Sequence, residues 1–335
     1  MSVRDVLIIG AGPSGLSAAI AAKQRGLDYQ VIEQGTLVNS IFHFPPQMVF
    51  FTTPELLEIG GLPFVSPFEK PTRPEALKYY RKVVDAFDLQ IVYEEKVQAV
   101  TADPEEAAGG TLFGVETLSS RGVRRVRLAR HVIFAIGYYD HPNLLNVPGE
   151  NLPHVHHYYS ESHPYYRQRV VIVGGGNSAA EAALELFRSG VYVTLVHRAS
   201  ELKSTIKYWV RPDIENRIKE DSITARFNSC VKEIRPTTIV ISSRVESGET
   251  TEEIPADTVF LLTGYRADSH LMTSAGIQLN DREAPVCDPA TFETNVPGLF
   301  VAGGAIAGVD TGTIFIENGR FHGEKIIEVI AARCG

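Results

Sequence analysis

Cysteine is scarce in this chain: Cys230, Cys287 and Cys334 are the only three in 335 residues. They are too few and too scattered for a disulfide framework or a zinc site, and no metal site is expected. No two of them stand as C-x-x-C, so a vicinal dithiol relay is excluded. No apolar run reaches the ~18 residues that a bilayer crossing needs. The start, Met1-Ser2-Val3-Arg4-Asp5, lacks the basic, apolar and small-residue order of a signal peptide, and a reducing cytoplasm is the expected location. Charge of one sign forms no blocks, and the net charge of -8 speaks against nucleic acid or an anionic membrane as partner. What remains is 44% hydrophobic and 21% charged residues, the composition of a globular protein with a sizeable core. The length suits about two domains.

The first motif opens the chain. Val6 to Ile9 is a continuous apolar run, as in a parallel strand buried on both faces. Gly10-Ala11-Gly12-Pro13-Ser14-Gly15 then reads G-x-G-x-x-G, and Leu16, Ala19, Ile20 and Lys23 follow at helical spacing up to Gly26. A second strand, Tyr29 to Ile32, delivers Glu33 and Gln34. The three glycines serve different ends: Gly10 permits the turn, Gly12 the approach of a pyrophosphate, and Gly15 close helix packing. The helix start offers N–H groups and the positive dipole end to phosphates, and Glu33 accepts from a ribose diol. An acid there repels a 2′-phosphate, so this site is expected to hold FAD.

The plan recurs with one change. Strand Val170 to Val173 leads into Gly174-Gly175-Gly176-Asn177-Ser178-Ala179, a G-x-G-x-x-A turn. The next strand, Val191 to Val196, ends in His197-Arg198 where the first unit has an acid. Cations at that place, with Lys203 as a further helper, suit a 2′-phosphate, so NADPH is expected here.

Two short runs ending in glycine, Phe134-Ala135-Ile136-Gly137 and Leu261-Leu262-Thr263-Gly264, mark crossings between domains. Near the end, strand Leu299 to Ala302 precedes Gly303, Gly304 and Ala305, and a long helical pattern is expected from about Thr313 and Ile314 to Ala332. Residues 90 to 133 suggest an antiparallel insertion with Val92, Val97, Val100, Phe113 and Val115 inward and an acidic turn at Asp103 to Gly110. Val97 is expected to offer its backbone to adenine. The fold class is therefore α/β, with two Rossmann-like dinucleotide-binding domains of three layers (ββα). The expected NADPH domain, 141–265, is inserted in an FAD domain of 1–140 and 266–335.

This order of motifs resembles thioredoxin reductases over nearly the whole chain. The stretch where those enzymes carry C-x-x-C is here Tyr159-Ser160-Glu161-Ser162, so their way of reducing thioredoxin does not carry over. Longer strings resemble the bacillithiol-disulfide reductase family: FFTTPELLEIG from Phe50 to Gly60, ALKYYR from Ala76 to Arg81, and Gly137-Tyr138-Tyr139. Two further strings are Ser162-His163-Pro164-Tyr165 and TIFIENGRFHG from Thr313 to Gly323. The resemblance implies FAD, NADPH and reduction of a small-molecule disulfide, bacillithiol disulfide, by a homo-oligomer. A small redox protein is a further expected partner. Alternatives left open are a ferredoxin- or flavodoxin-NADP reductase and a flavin monooxygenase-like NADPH oxidase. Two departures stand out. Ser14 occupies a position where some family members have a cysteine, and Gly304 one where many relatives have an aspartate. His163 is the candidate for protonating a leaving thiolate.

Overall fold

The computed structural model describes residues 2–103, 112–245 and 248–334. The expected acidic turn falls mostly on 104–110, outside the described residues. Two compact units emerge, Met1–His141 with Tyr265–Gly335, and Pro142–Gly264. The first segment runs β1 (Val3–Ile9), α1 (Pro13–Gln24), β2 (Tyr29–Ile32), α2 (Asn39–Phe42), α3 (Arg73–Phe87), β3 (Ile91–Val92), β4 (Glu95–Asp103), β5 (Leu112–Ser119) and β6 (Arg124–Phe134). The second unit holds β7 (Val155–His156), β8 (Arg169–Val173), α4 (Asn177–Arg188), β9 (Tyr192–Val196), α5 (Arg211–Lys219) and β10 (Thr224–Arg226). It continues with β11 (Ser229–Ile234), β12 (Thr238–Val245), β13 (Gly248–Pro255) and β14 (Thr258–Leu261). The chain returns with α6 (Ser269–Ser274), β15 (Leu299–Val301), α7 (Ile316–Gly319) and α8 (His322–Cys334).

In the first unit the sheet order is β3-β2-β1-β6-β5-β4, with β15 also paired to β6. Alternation along β1 explains the layering. Val6 and Ile8 face a helical layer of α1, α3 and α8, whereas Leu7 and Ile9 face Val97, Val100, Phe113 and Val115 of β4 and β5. Val92, expected inward with them, is only half-buried. β6 is long enough to serve both layers: Phe113 pairs antiparallel with Ala129, and Leu7 pairs parallel with Val132. β15 adds in parallel, Val301 beside Phe134, so the last segment completes the first sheet.

The second unit repeats the scheme. Its parallel sheet has the order β10-β9-β8-β14-β7. Val170 and Ile172 pack on α4 and α5, and Val171 and Val173 pack on the β11-β12-β13 meander. Burying each such side chain contributes about 1.5–3 kcal/mol, which is why a strand of alternating targets reads as an unbroken apolar run.

The C-terminal helix departs from expectation. Instead of one helix from Thr313, there are two, α7 and α8, broken at Arg320 and Phe321. Thr313 and Ile314 precede both. Close approaches mark both sides of the break. A Cβ on Gly319 would lie 3.1 Å from Gly303 Cα, and one on Gly323 2.3 Å from the Ala18 nitrogen of α1. Asn318 accepts from the Phe315 N–H at 2.8 Å and donates to the Thr313 carbonyl at 3.0 Å, fixing the start of α7. Arg320 donates to the carbonyls of Glu55 and Glu58, at 2.8 and 2.6 Å, pinning the break.

Candidate functional site

The first glycine turn forms the floor of a cleft with about 1240 Å³ of empty space, open to solvent. Gly10, at φ +107°, lies so close to the next strand that a Cβ would stand 2.4 Å from the Ala135 carbonyl oxygen. A Cβ on Gly15 would lie 2.0 Å from the Gly10 oxygen. Around Gly12, by contrast, the space a Cβ would enter is empty to 4 Å. α1 begins there with Pro13 and no side-chain cap, leaving its first amides for a ligand.

Glu33 closes one end. It is 4% exposed, and its carboxylate accepts from the N–H groups of Ala11 at 2.8 Å and Gly35 at 2.9 Å. Burial raises its pKa above the usual carboxylate range, with those two N–H bonds opposing the shift. Each oxygen keeps a lone pair for a hydroxyl, the chemistry of a diol acceptor. These features fit the adenosine ribose and pyrophosphate of FAD.

Of the residues expected here, Gly10, Gly12, Pro13, Ser14, Glu33, Gln34, Val97, Ala135, Gly137, Gly304 and Ile314 line the cleft. Gly15, Gly303, Ala305 and Thr313 do not. The Gly303 N–H is already engaged by His322 Nδ1 at 3.2 Å, and Gly303 leaves room for the Ser14 hydroxyl. Ser14 donates to the Gly319 carbonyl at 3.0 Å, so its hydroxyl ties α1 to α7.

Three further residues line the cleft, of which Tyr138 and Tyr139 belong to the Gly137-Tyr138-Tyr139 string and Asp140 follows it. Tyr138 lays its ring against Gly304, where a Cβ would come within 2.6 Å of it, which accounts for the missing side chain at 304. Its hydroxyl has no partner among the described residues, and burial raises its pKa, with Glu317 adding to the shift. Tyr139 stacks edge-on with Phe44 at 4.9 Å. Asp140 accepts from Gln34 at 2.8 Å, and burial raises its pKa too.

The second glycine turn is built alike but carries the opposite charge. α4 starts at an uncapped Gly176, where a Cβ would meet only the Lys203 stem at 3.8 Å. Arg198 and Lys203 are exposed, and neither side chain forms an ion pair or hydrogen bond among the described residues. Ser178 is exposed, while Ala179 packs under Gly174. His197 differs from expectation. Its ring lies over Gly175, 2.4 Å from where a Cβ would stand, and is 7% exposed. Burial lowers its pKa, and Lys203 and Arg198 lower it further. It therefore fills the turn as a neutral ring, and the exposed cations are Arg198 and Lys203. Gly264 has a left-handed backbone, with Asn143 Nδ2 3.2 Å from a built Cβ.

The remaining candidates are His163 and the three cysteines. His163 is exposed in a short 3-10 turn before the start of β8, whereas the glycine turn follows its end. In the first unit Cys287 is half-buried and Cys334 stands at the end of α8, and neither lines the cleft; Cys230 is exposed on β11 of the second unit. Burial pushes the thiols of Cys287 and Cys334 up, away from reactivity.

The profile of the pyridine nucleotide-disulphide oxidoreductase family matches residues 7–303. The chain belongs to this family. It is an oxidoreductase of the thioredoxin-reductase-like fold, which it shares with the thioredoxin reductase of T. acidophilum at TM-score 0.73 and 22% identity over 99% of each chain. It is 42% identical over 335 residues, 99% of either protein, to the bacilliredoxin reductase Bdr of Bacillus subtilis. It is also similar to the solved bacillithiol disulfide reductase Bdr of Bacillus cereus. There the TM-score is 0.93 at 40% identity, with 99% of this chain and all of the other covered. No helix among the described residues is long and apolar enough to cross a membrane.

Proposed function

We propose that this chain is an FAD-dependent oxidoreductase that takes electrons from NADPH and reduces bacillithiol disulfide to two thiols. The charge contrast between the two glycine turns carries the cofactor reading. A buried carboxylate, Glu33, faces the first, and two exposed cations, Arg198 and Lys203, flank the second. Residues 1–140 with 266–335 form the FAD domain and 141–265 the NADPH domain. The disulfide substrate is supported by relatives of that name at about two-fifths identity along the full length.

FAD, when bound, would supply the two-electron chemistry between NADPH and the disulfide. The protein's own part is to hold and orient. Glu33 accepts from the ribose hydroxyls, the α1 and α4 amides face the pyrophosphates, and Arg198 and Lys203 bind the 2′-phosphate. The balance is NADPH, one proton and the disulfide giving NADP+ and two thiols. Neither Cys287 nor Cys334 of the first unit lines the cleft, and no cysteine is assigned a part in the transfer. The enzyme works in the cytoplasm as a homo-oligomer, and a small redox protein is a further partner.

The test is an acceptor panel scored by NADPH consumption: bacillithiol disulfide, a bacilliredoxin, ferredoxin, flavodoxin and oxygen alone. Bacillithiol disulfide is expected to give the fastest turnover. Faster turnover with ferredoxin or flavodoxin, or with oxygen alone, overturns the reading.

A further inference from the structure

Asn177 follows the second glycine turn at the first position of α4, where a side chain is expected to touch a nucleotide directly. Both ends of its amide are turned elsewhere. Oδ1 accepts from the Lys207 N–H at 2.8 Å, and Nδ2 donates to the Thr205 carbonyl at 3.0 Å. The segment so held also carries Lys203. That residue's N–H donates to the Gly175 carbonyl at 2.9 Å, and its stem passes over Gly176. Leu202 and Ile206 are buried, and the Lys207 ammonium pairs with Glu181 of α4 at 2.7 Å. Residues 203–207 are thus fastened to the start of α4 from both sides, while the Lys203 side chain stays exposed.

We infer that Asn177 is a positioning residue for nucleotide specificity: it clamps the 203–207 segment so that Lys203 stands at the 2′-phosphate. This deepens the reading that the second turn takes NADPH, and rests on it. The physical reason is preorganisation. A lysine on a free loop loses entropy when it engages a phosphate, and a lysine on a clamped loop has already lost most of it. Removing the clamp therefore weakens the contact that only a 2′-phosphate makes. NAD+, which lacks that group, serves as the internal reference.

The experiment measures Kd for NADP+ and for NAD+ by calorimetry on the FAD-loaded enzyme, for wild type, Asn177→Ala, Lys203→Ala and the double variant. Lys203→Ala is expected to raise the NADP+ constant about 10- to 100-fold relative to NAD+, the loss of one charge-assisted bond. Asn177→Ala is expected to lower the discrimination by about fivefold or more, and the double variant to be no worse than Lys203→Ala alone, since both act through one contact. Should Asn177→Ala fail to fold, Asn177→Ser, which reaches at most one of the two partners, carries the same comparison. Equal weakening of both nucleotides by Asn177→Ala, or additive effects in the double variant, overturns the clamp. A wild-type enzyme that binds NADP+ no tighter than NAD+ overturns the nucleotide reading itself, and Lys203→Ala with unchanged discrimination removes Lys203 from it.

Discussion

Replacing Glu33 by Gln changes one atom of a buried group and separates its two roles. In the wild type one carboxylate oxygen is held by Ala11 N–H and the other by Gly35 N–H, at 2.8 and 2.9 Å. Glutamine supplies one acceptor and one donor, so one backbone N–H faces an N–H and one ribose hydroxyl loses a charged acceptor. The unpaired donor costs about 1–3 kcal/mol of stability. Burial already disfavours the Glu33 charge, holding its pKa up, and removing that charge offsets part of the cost. Thermal stability is therefore expected to change little. Affinity is the sharper readout: a hydrogen bond to a charged acceptor is worth about 1.5–3 kcal/mol, or roughly 10- to 100-fold in the Kd for FAD. The assay titrates apoprotein with FAD and, separately, with FMN, following flavin fluorescence. FMN lacks the adenosine ribose, so its affinity is expected to stay the same. Equal losses for FAD and FMN would mean that Glu33 only shapes the turn, and no loss for FAD would refute the diol contact.

Arg198→Ala is expected to raise KM for NADPH about 10- to 100-fold while KM for NADH holds, since the bond lost is remote from the nicotinamide; equal increases would contradict this. Gly15→Ala is expected to yield protein without bound flavin, because the added Cβ would stand 2.0 Å from a backbone oxygen; normal flavin absorbance after purification would count against the close packing. His322 is 8% exposed, stacked on Phe292 at 4.2 Å, with burial holding its pKa down at about 4. The unfolded chain takes up that proton near 6.5, so the stability is fully present above that pH. About 3 kcal/mol of it is lost as pH falls from 6.5 to about 4. Urea titrations at pH 7, 5.5 and 4 check this, and a His322→Gln variant with the same slope would refute it.

Both glycine turns were legible because their information is local: a strand, three small residues and a helix within about twenty positions set the geometry. The charge contrast between Glu33 and Arg198 was legible for the same reason. What escaped the sequence depends on contacts between distant segments. Helical periodicity runs through Arg320, whereas the contacts around the break, of Gly319 with Gly303 and of Gly323 with α1, come from distant segments. His197 has the sequence position of a ligand, but the turn it belongs to leaves a hole over Gly175 that its ring fills. Tyr138 and Gly304 are 166 residues apart, so the exchange of a side chain at 304 for a ring from 138 has no local pattern. Glu95 is the same kind of case: 1% exposed, it is held by Arg125, Arg127 and Thr117 from the neighbouring strands.

The proposed route takes electrons from NADPH to a small disulfide through bound flavin, without a protein thiol. A variant with Cys230, Cys287 and Cys334 all replaced by Ser tests that route most directly. The variant is reduced anaerobically with one equivalent of NADPH, then mixed with bacillithiol disulfide while flavin absorbance and free thiol are followed. Flavin absorbance is expected to return at the wild-type rate, with two thiols appearing per NADPH. Flavin that is reduced normally but stays reduced in the presence of the disulfide would contradict the thiol-free route.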